Sequence, residues 1–410
     1  MISRVAYLSM HTSPLLQPGV GDAGGMNVYI DEVSRTMAQR GVEVDVFTRR
    51  HGPDQPDLVE VGPGYRVHHL DAGPPKTIPV RRLARYVRDF AEGVMARLDA
   101  ESVKPDIVHS HYWLSGWAGL MIKRTLEVPL ANSFHTLGRV KDLTRRHDEP
   151  PESLLRIAAE HEVIEGSDCV VASTPLEAAD LIEHYGADPN RLCTSPPGVD
   201  HEVFNPGDRE EARRELGMDP APTILFVGRI QPLKGVDVVA DAFARVVEEL
   251  PDSRLCVIGG PSGLSGADEV ASLRKRIERL GVADRVIMRE PVPHHRLTLY
   301  YRAADVLALP SRSESFGLVA AEAQSCGLPV VAAAVGGLTH VVSDGESGLL
   351  VQGWEPKDHA AALLRVLVEP GLSDRLSRGA VEWSERFSWD ATAHRFLELY
   401  QGAIERARSG

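Results

Sequence analysis

Two basic residues stand close together in the second half of the chain, directly after a strand-like apolar run. The run at residues 224–228 is followed by Arg229 and Lys234, on a loop that leads into a predicted helix. Fixed guanidinium and ammonium groups there could stabilise the charge of a departing diphosphate in a transition state without a metal ion. The alternative is a pair of solvated loop residues, which the position at the carboxyl end of a buried strand disfavours.

Two glutamates, Glu314 and Glu322, follow the predicted strand at 306–310 and are eight residues apart. Eight residues is a little over two helical turns, so we predict that both carboxylates face one crevice, one near the helix mouth and one deeper. A carboxylate accepts two hydrogen bonds at once, which suits the vicinal hydroxyls of a ribose. The free N–H groups at the start of the helix suit phosphate or sugar oxygens.

A glycine-rich loop lies near the start of the chain. Residues 21–29 read Gly-Asp-Ala-Gly-Gly-Met-Asn-Val-Tyr and precede a predicted helix. Adjacent glycines let backbone N–H groups approach an anion, and a helix N-terminus adds partial positive charge, which together suit a diphosphate. The loop lacks the spacing of the dinucleotide fingerprint and of a P-loop, so a tight turn is the alternative. A second pair, Gly336 and Gly337, follows a predicted strand at the edge of the same crevice.

The elements that must position these residues alternate along the whole chain. Short β-branched runs and amphipathic helical stretches follow one another, which is typical of parallel sheets with helices on both faces. The predicted strands are 4–10, 42–48, 65–70, 106–109, 128–134 and 169–173 in the first half, and 223–228, 254–259, 285–288, 306–310, 329–335 and 348–351 in the second. We therefore predict an α/β fold of two Rossmann-like, doubly wound parallel-sheet domains whose strand ends face a crevice.

The densest Pro/Gly cluster in the middle of the chain, residues 195–207, predicts a linker. We place an N-terminal acceptor-binding domain at 1–200 and a C-terminal nucleotide-sugar-binding domain at 201–392. A helix at 393–410, with an apolar face, is predicted to pack back on the N-terminal domain. After Lys234, apolar residues recur at three- and four-residue intervals, as expected of a helix packed on a sheet.

The composition excludes several classes of protein. Lys and Arg (45) against Asp and Glu (58) give a net charge of −13, and no basic run could follow a nucleic-acid backbone or an anionic membrane. No apolar stretch approaches a membrane span, and no signal peptide is evident, so we expect a cytoplasmic protein. The four cysteines stand singly in apolar surroundings and predict core packing in a reducing compartment.

The motifs resemble those of a known enzyme family. Gly228-Arg229 with Lys234-Gly235, and the Glu314 and Glu322 pair, resemble the signature of retaining glycosyltransferases of family four with the GT-B fold, over essentially the whole length. In the N-terminal half, residues 9–14, 21–29 and 109–116 resemble the inositol-3-phosphate N-acetylglucosaminyltransferases of mycothiol biosynthesis. Sucrose-phosphate synthases share a looser version of these motifs.

The resemblance implies a UDP-sugar donor, with N-acetylglucosamine or glucose as the sugar, and roles for individual residues. Arg229 and Lys234 would hold the diphosphate, Glu322 the ribose, and Glu314 would lie beside the donor sugar, with His135 near the reacting carbon. Gly25 would close over the diphosphate from the other domain. The donor site would also include Ser315, Phe316 and Gly317. The family transfers with retention by same-face attack, so no metal is expected in the chemistry and none is assigned.

The resemblance also implies an acceptor site, with 1D-myo-inositol 3-phosphate as the first acceptor to consider. The residues that match the family's acceptor contacts are His11, Asp22, Asn27, Tyr112, Thr136 and Arg156. The family's lysine for the acceptor phosphate is Val80 here, so either Lys76, Arg81 or Arg82 substitutes, or the acceptor lacks a phosphate at that place. A lost charged contact is worth about 1.5 to 3 kcal/mol.

Several alternatives stay open at this point. The same chemistry could act on a sugar phosphate, an unphosphorylated cyclitol or a natural-product scaffold, and the change at Val80 favours these. A non-catalytic nucleotide-sugar binding protein is a remote alternative, because Arg229, Lys234, Glu314, Glu322 and His135 are all present. The sequence leaves open the oligomeric state, a homodimer included, and a structural cation near the C-terminal domain.

Overall fold

Two β-sheets form the framework of the protein. The computed structural model describes residues 2–145, 149–262 and 266–409. The strands of the first sheet are β1 (Arg4–Ser9), β2 (Glu43–Arg49), β3 (Leu58–Gly62), β4 (Tyr65–Leu70), β5 (Ile107–His111), β6 (Leu130–Ser133), β7 (Cys169–Ala172) and β8 (Leu192–Thr194). Their order in space is β3-β4-β2-β1-β5-β6-β7-β8. The helices of this half are α1 (Gly25–Gln39), α2 (Val80–Leu83), α3 (Val87–Ala100), α4 (Trp113–Leu126), α5 (Gly138–Thr144), α6 (Leu154–Gly166) and α7 (Pro175–Tyr185).

The second sheet is parallel throughout, with the order β11-β10-β9-β12-β13-β14. Its strands are β9 (Thr223–Val227), β10 (Arg254–Ile258), β11 (Val286–Arg289), β12 (Val306–Leu309), β13 (Val330–Ala333) and β14 (Gly348–Val351). The remaining helices are α8 (Arg209–Leu216), α9 (Val236–Glu249), α10 (Gly266–Arg279), α11 (Leu297–Ala303), α12 (Leu318–Ser325), α13 (Leu338–Val341), α14 (Pro356–Val368), α15 (Leu372–Ser384) and α16 (Trp389–Ser409). Together the two sheets confirm the predicted fold class.

Each predicted strand is present, with bounds that differ by at most two residues. The sequence missed β3 and β8, which are short edge strands. The first sheet is therefore not wholly parallel, because β3 pairs antiparallel with β4. Only Pro63 and Gly64 separate these two strands, and Gly64 has a φ of +75°. Two residues suffice for a hairpin, whereas a parallel pair needs a much longer crossover.

The C-terminal helix lies against the first sheet rather than the second. The predicted helix at 393–410 is α16, which begins earlier, and its residues Phe396 and Tyr400 are fully buried. They share one apolar cluster with Val5 and Tyr7 of β1 and with Ile30 of α1. The chain thus crosses from the second sheet back to the first through α16. The division at residues 200 and 201 stays a prediction.

Two of the four cysteines, which stand singly in the sequence, are in contact in the fold. The Sγ atoms of Cys169 on β7 and Cys193 on β8 are 2.7 Å apart, and both thiols are free. Cys256 and Cys326 are buried, as core packing predicts. The sequence could not reveal the contact, because β8 and its pairing with β7 were not predicted.

Gly198 lies where the linker meets the start of α16. A Cβ at this position would be 2.1 Å from the backbone nitrogen of Trp389, a distance that only a backbone shift could relieve. We expect Gly198→Ala to destabilise the protein by about 1 to 3 kcal/mol and to lower its Tm in a thermal scan. Gly62→Ala is the matched control, because nothing lies within 4 Å of its added Cβ. Equal Tm values for the two variants would contradict the prediction.

Candidate active site

A cavity of about 450 Å³ lies between the two sheets, at the carboxyl ends of their strands. Both halves of the chain line it, and most of the predicted site residues meet there. The lining residues include His11, Asp22, Gly25, Tyr112, His135 and Thr136 from the first half, and Arg229, Lys234, Glu314, Ser315, Phe316, Gly317 and Glu322 from the second. Two predicted residues, Asn27 and Arg156, do not line the cavity.

Arg229 follows β9 and points at the glycine loop of the other half. Its Nη1 donates to Ser262 Oγ at 3.2 Å and lies 3.5 Å from the carbonyl oxygen of Asp22. A Cβ on Gly24 would lie 3.4 Å from its Nε, which is van der Waals contact, so the guanidinium packs directly on the glycine loop. Among the described residues, no carboxylate lies within 4.0 Å of this guanidinium. Its charge is therefore available for an anion held between the two halves.

Lys234 and Glu314 form an ion pair across two loops of the second sheet. The Nζ of Lys234 donates to Glu314 Oε2 at 2.6 Å and Oε1 at 2.9 Å. Gly235 makes the approach possible, because it has a φ of +66° and a Cβ there would lie 2.1 Å from the carbonyl oxygen of Pro310. An incoming diphosphate would compete with the Glu314 carboxylate for this ammonium group.

Glu314 does not lie on the helix that carries Glu322, so the helical spacing used to relate the two carboxylates does not apply between them. Helix α12 begins at Leu318, and Glu314 lies in the preceding loop. The turn after β13 holds the loop, because Gly337 N donates to the Glu314 carbonyl at 2.7 Å and Gly336 leaves no room for a Cβ. Both glutamates still line the cavity, because the loop directs Glu314 into it.

Glu322 on α12 is buried, and each of its carboxylate oxygens has one partner. His294 Nε2 lies 2.7 Å from Oε1, and Tyr301 OH donates to Oε2 at 2.9 Å. A carboxylate oxygen can accept two hydrogen bonds, so each still has room for one hydroxyl. The sequence analysis missed His294, since nothing in its local sequence marks a contact with a residue on another helix.

The His294 and Glu322 pair predicts a pH-dependent stability. Burial opposes the imidazolium charge, but Glu322, with smaller contributions from Glu32 and Asp200, outweighs it and raises the pKa of His294. A raised folded-state pKa gives stability that is complete below the unfolded value of about 6.5 and is lost as pH rises through the folded pKa.

We therefore expect the Tm of the wild-type protein to exceed that of His294→Gln below pH 6.5, with a difference that shrinks as pH rises above it. The measurement is a thermal scan of both proteins from pH 5.5 to 8.5. His295→Gln, at the exposed neighbouring position, is the control and should follow the wild-type curve. A difference between wild type and His294→Gln that does not vary with pH would contradict the assignment.

A further wall of the cavity is formed by His11, Tyr112 and Thr136, and Val80 and Lys141 also line the cavity. The His11 and Tyr112 rings are 4.5 Å apart, and His11 Nδ1 is buried without a hydrogen-bond partner among the described residues. Burial, with the nearby His135 and Arg229, lowers the pKa of His11 to about 3, so its imidazole is neutral. A neutral ring with an unused nitrogen can bind a hydroxyl group.

Arg156 and Asn27 lie behind this wall of the cavity and hold its residues in place. Arg156 donates from Nη2 to the Thr136 carbonyl at 2.9 Å and to Thr136 Oγ1 at 3.1 Å. Asn27 donates from Nδ2 to Thr12 Oγ1 at 2.7 Å and accepts from Gly24 N at 2.9 Å. In this structure, the two residues therefore act on the site through Thr136 and through the glycine loop.

The three cations that the sequence suggested as substitutes for the family's lysine do not line the cavity. Lys76, Arg81 and Arg82 are exposed and do not line the cavity, so the suggestion that they replace the family's lysine is not supported. Lys141 of α5, which was not predicted, lines the cavity and pairs with Glu152. Arg156 is paired with Glu160 at 2.7 Å and with Glu152 at 3.1 Å.

His135 connects the two halves of the site. It follows β6 with a φ of +59°, an unusual conformation for a non-glycine residue, and its carbonyl accepts a hydrogen bond from Ser315 Oγ at 2.6 Å. Burial lowers the pKa of His135 to about 3. The residue is therefore neutral and held in place from the second half of the chain.

The part of the chain that the structure describes has neither a cluster of metal-ligating side chains nor a membrane-spanning helix. Residues 2–145, 149–262 and 266–409 contain no group of three or more His, Cys, Asp or Glu side chains that could hold a metal ion. In the same part of the chain, no helix is long and apolar enough to cross a membrane.

Comparison with known proteins identifies the family. The family model Glycosyl transferase 4-like domain matches residues 24–198, and the model Glycosyl transferases group 1 matches residues 208–383. The chain is 47% identical to D-inositol 3-phosphate glycosyltransferase of Thermomonospora curvata (98% of this chain, 96% of the relative) and 47% identical to D-inositol 3-phosphate glycosyltransferase 2 of Catenulispora acidiphila (99% and 96%). The structure of sucrose-phosphate synthase from Thermosynechococcus elongatus superposes with a TM-score of 0.91 at 32% identity (97% and 98%). The chain belongs to the group 1 glycosyl transferases, as a GT-B enzyme of the family that includes the D-inositol 3-phosphate glycosyltransferases.

Proposed function

We propose that this glycosyltransferase moves a hexosyl group, N-acetylglucosamine or glucose, from a UDP-sugar to a hydroxyl of a small polyhydroxylated acceptor, with retention at the anomeric carbon. The observation that carries the proposal is the placement of Arg229, which faces the glycine loop across the cavity. Among the described residues, this cation has no carboxylate in ion-pair contact. Lys234 and Glu322 line the same cavity, where an ammonium group suits a diphosphate and a carboxylate with spare acceptor capacity suits the hydroxyls of a ribose.

The residues of the site favour a mechanism without a protein base. His11 and His135 both have pKa values lowered to about 3, so they are weak bases at neutral pH. The acceptor hydroxyl then attacks the anomeric carbon from the face that the diphosphate leaves. The carbon–oxygen bond to the diphosphate breaks, and the hydroxyl proton passes to the departing oxygen. Arg229 and Lys234 stabilise the charge that develops on the diphosphate, and we propose that no metal ion is required.

The first acceptor to consider is 1D-myo-inositol 3-phosphate, because the relatives at 47% identity are named for it. A second candidate is an unphosphorylated cyclitol or sugar, and the charges at the acceptor end of the cavity favour it. Val80 is uncharged, and the cations Lys141 and Arg156 are both paired with carboxylates. A phosphate would have to compete with Glu152 for them.

The test is product formation from UDP-N-acetylglucosamine and UDP-glucose with inositol 3-phosphate, free inositol, fructose 6-phosphate and glucose 6-phosphate, followed by mass spectrometry. NMR coupling constants of the product report retention, and parallel reactions in EDTA report any need for a metal. Transfer to at least one hydroxyl acceptor, with retention and in EDTA, is the expected result. Inversion, or no transfer from either donor, would overturn the proposal.

A further inference from the structure

A row of buried histidines runs from the C-terminal helix to His135. His109 and His111 alternate on β5 and so lie on the same face of the sheet, with stacked rings 4.4 Å apart. The ring of His111 stacks in turn on that of His135, with centroids 5.2 Å apart, and His111 Nδ1 lies 3.0 Å from His135 Nε2. The sequence analysis placed His111 in a motif but gave it no role.

The rings of His111 and His135 are both neutral, so a single N–H hydrogen lies in the contact between them. Burial lowers the pKa of His135 to about 3 and holds that of His111 well below its usual value, and the neighbouring histidines lower that of His111 further. A neutral imidazole has one N–H and one acceptor nitrogen. In the 3.0 Å contact, one ring must therefore donate and the other accept.

The surroundings of His111 decide which ring donates. Its Nε2 is buried and has no partner among the described residues, and the edges of Tyr7 and Tyr29 pack against the ring. A buried N–H without an acceptor is rarer in folded proteins than an acceptor without a donor. The proton of His111 is therefore assigned to Nδ1, from which it is donated to His135 Nε2. His135 must then carry its own proton on Nδ1.

We propose that His111 is a positioning residue for glycosyl transfer, which holds the ring of His135 in one orientation and as the Nδ1–H tautomer beside the donor sugar. The catalytic part of this inference rests on the proposed function, and the tautomer does not. The strained backbone of His135 adds to the need for such support, because a φ of +59° is held only where surrounding contacts enforce it. His109 has a different task, since its two nitrogens bond Tyr400 OH at 2.6 Å and Ser133 Oγ at 2.9 Å.

The kinetic test compares three variants at saturating donor and acceptor. His111→Phe keeps an aromatic ring but removes the donor, and we expect kcat to fall about 10- to 100-fold. His111→Asn keeps an amide N–H near the Nδ1 position and should recover most of the lost turnover. His109→Phe is the matched control on the same strand face, because it loses two hydrogen bonds and so some thermal stability but makes none to His135. Wild-type turnover in folded His111→Phe, or an equal loss in His109→Phe, would overturn the positioning role.

A second measurement does not depend on activity. With ¹⁵N-labelled histidine, the Nδ1 and Nε2 chemical shifts report which nitrogen carries the proton, and the His135→Gln variant assigns the His135 signals. We expect His135 to be protonated at Nδ1 in the wild-type protein and in His111→Asn, and to become a mixture of tautomers in His111→Phe. Protonation of His135 at Nε2 in the wild-type protein would overturn the inference, whereas absence of transfer activity alone would overturn only the proposed function.

Discussion

In the Arg229→Ala variant, we expect turnover to fall about 10³-fold while the protein stays folded. Lys234 is engaged by Glu314, whereas Arg229 bonds only neutral oxygens among the described residues. On the proposed function, its charge therefore faces the departing diphosphate without an ion-pair partner of its own among the described residues. Because a preorganised charge stabilises the transition state more than the bound donor, the loss should appear in kcat and in kcat/KM together.

The measurement is steady-state kinetics with the acceptor found in the panel, accompanied by a thermal scan. Arg279→Ala is the control, because this arginine is exposed on α10 of the same half and does not line the cavity. Arg229→Lys should retain part of the activity, since it keeps the charge but loses the planar fork of donors. A folded Arg229→Ala variant with turnover within a few-fold of wild type would show that the diphosphate is stabilised elsewhere.

The fold could be predicted closely because its signals are local. A buried parallel strand is a continuous apolar run, and a crossover helix such as α9 shows its buried face in the spacing of Val236, Val239, Ala240 and Phe243. β3 lacked such a signal, because it is a half-exposed edge strand. The antiparallel direction of β3 can be inferred from its two-residue connection to β4, but only after both strands have been identified.

The sequence could predict which residues form the site, but only partly how they are arranged in space. Lys234 and Glu314 stand at the ends of neighbouring strands, so the sequence brought them to one edge of the sheet. Their ion pair depends on glycines at other places, Gly235 and Gly336, which let loops approach to distances that a Cβ would forbid. His294 and His111 were missed for a related reason. Each acts through a partner on another element, at a sequence separation of 28 and 24 residues.

Position 80 offers a test of acceptor recognition that holds for either acceptor candidate. Val80 is the first residue of α2 and lines the cavity, whereas the cations Lys141 and Arg156 of the same half are already paired with carboxylates. A lysine at this position would add a positive charge to the cavity lining. Such a charge stabilises a bound phosphate by about 1.5 to 3 kcal/mol and does little for a neutral hydroxyl.

We therefore expect Val80→Lys to raise the ratio of kcat/KM for inositol 3-phosphate to that for free inositol by about 10- to 150-fold. The measurement is competition between the two acceptors at low and at high salt, because a gain that comes from charge should weaken as salt screens it. Val80→Met is the matched control, since it adds length without charge and should leave the ratio near the wild-type value. If Val80→Met shifts the ratio as far as Val80→Lys, shape rather than charge at position 80 selects the acceptor. If neither variant shifts it, the acceptor phosphate does not lie beside α2, and its contacts must be sought near Lys141.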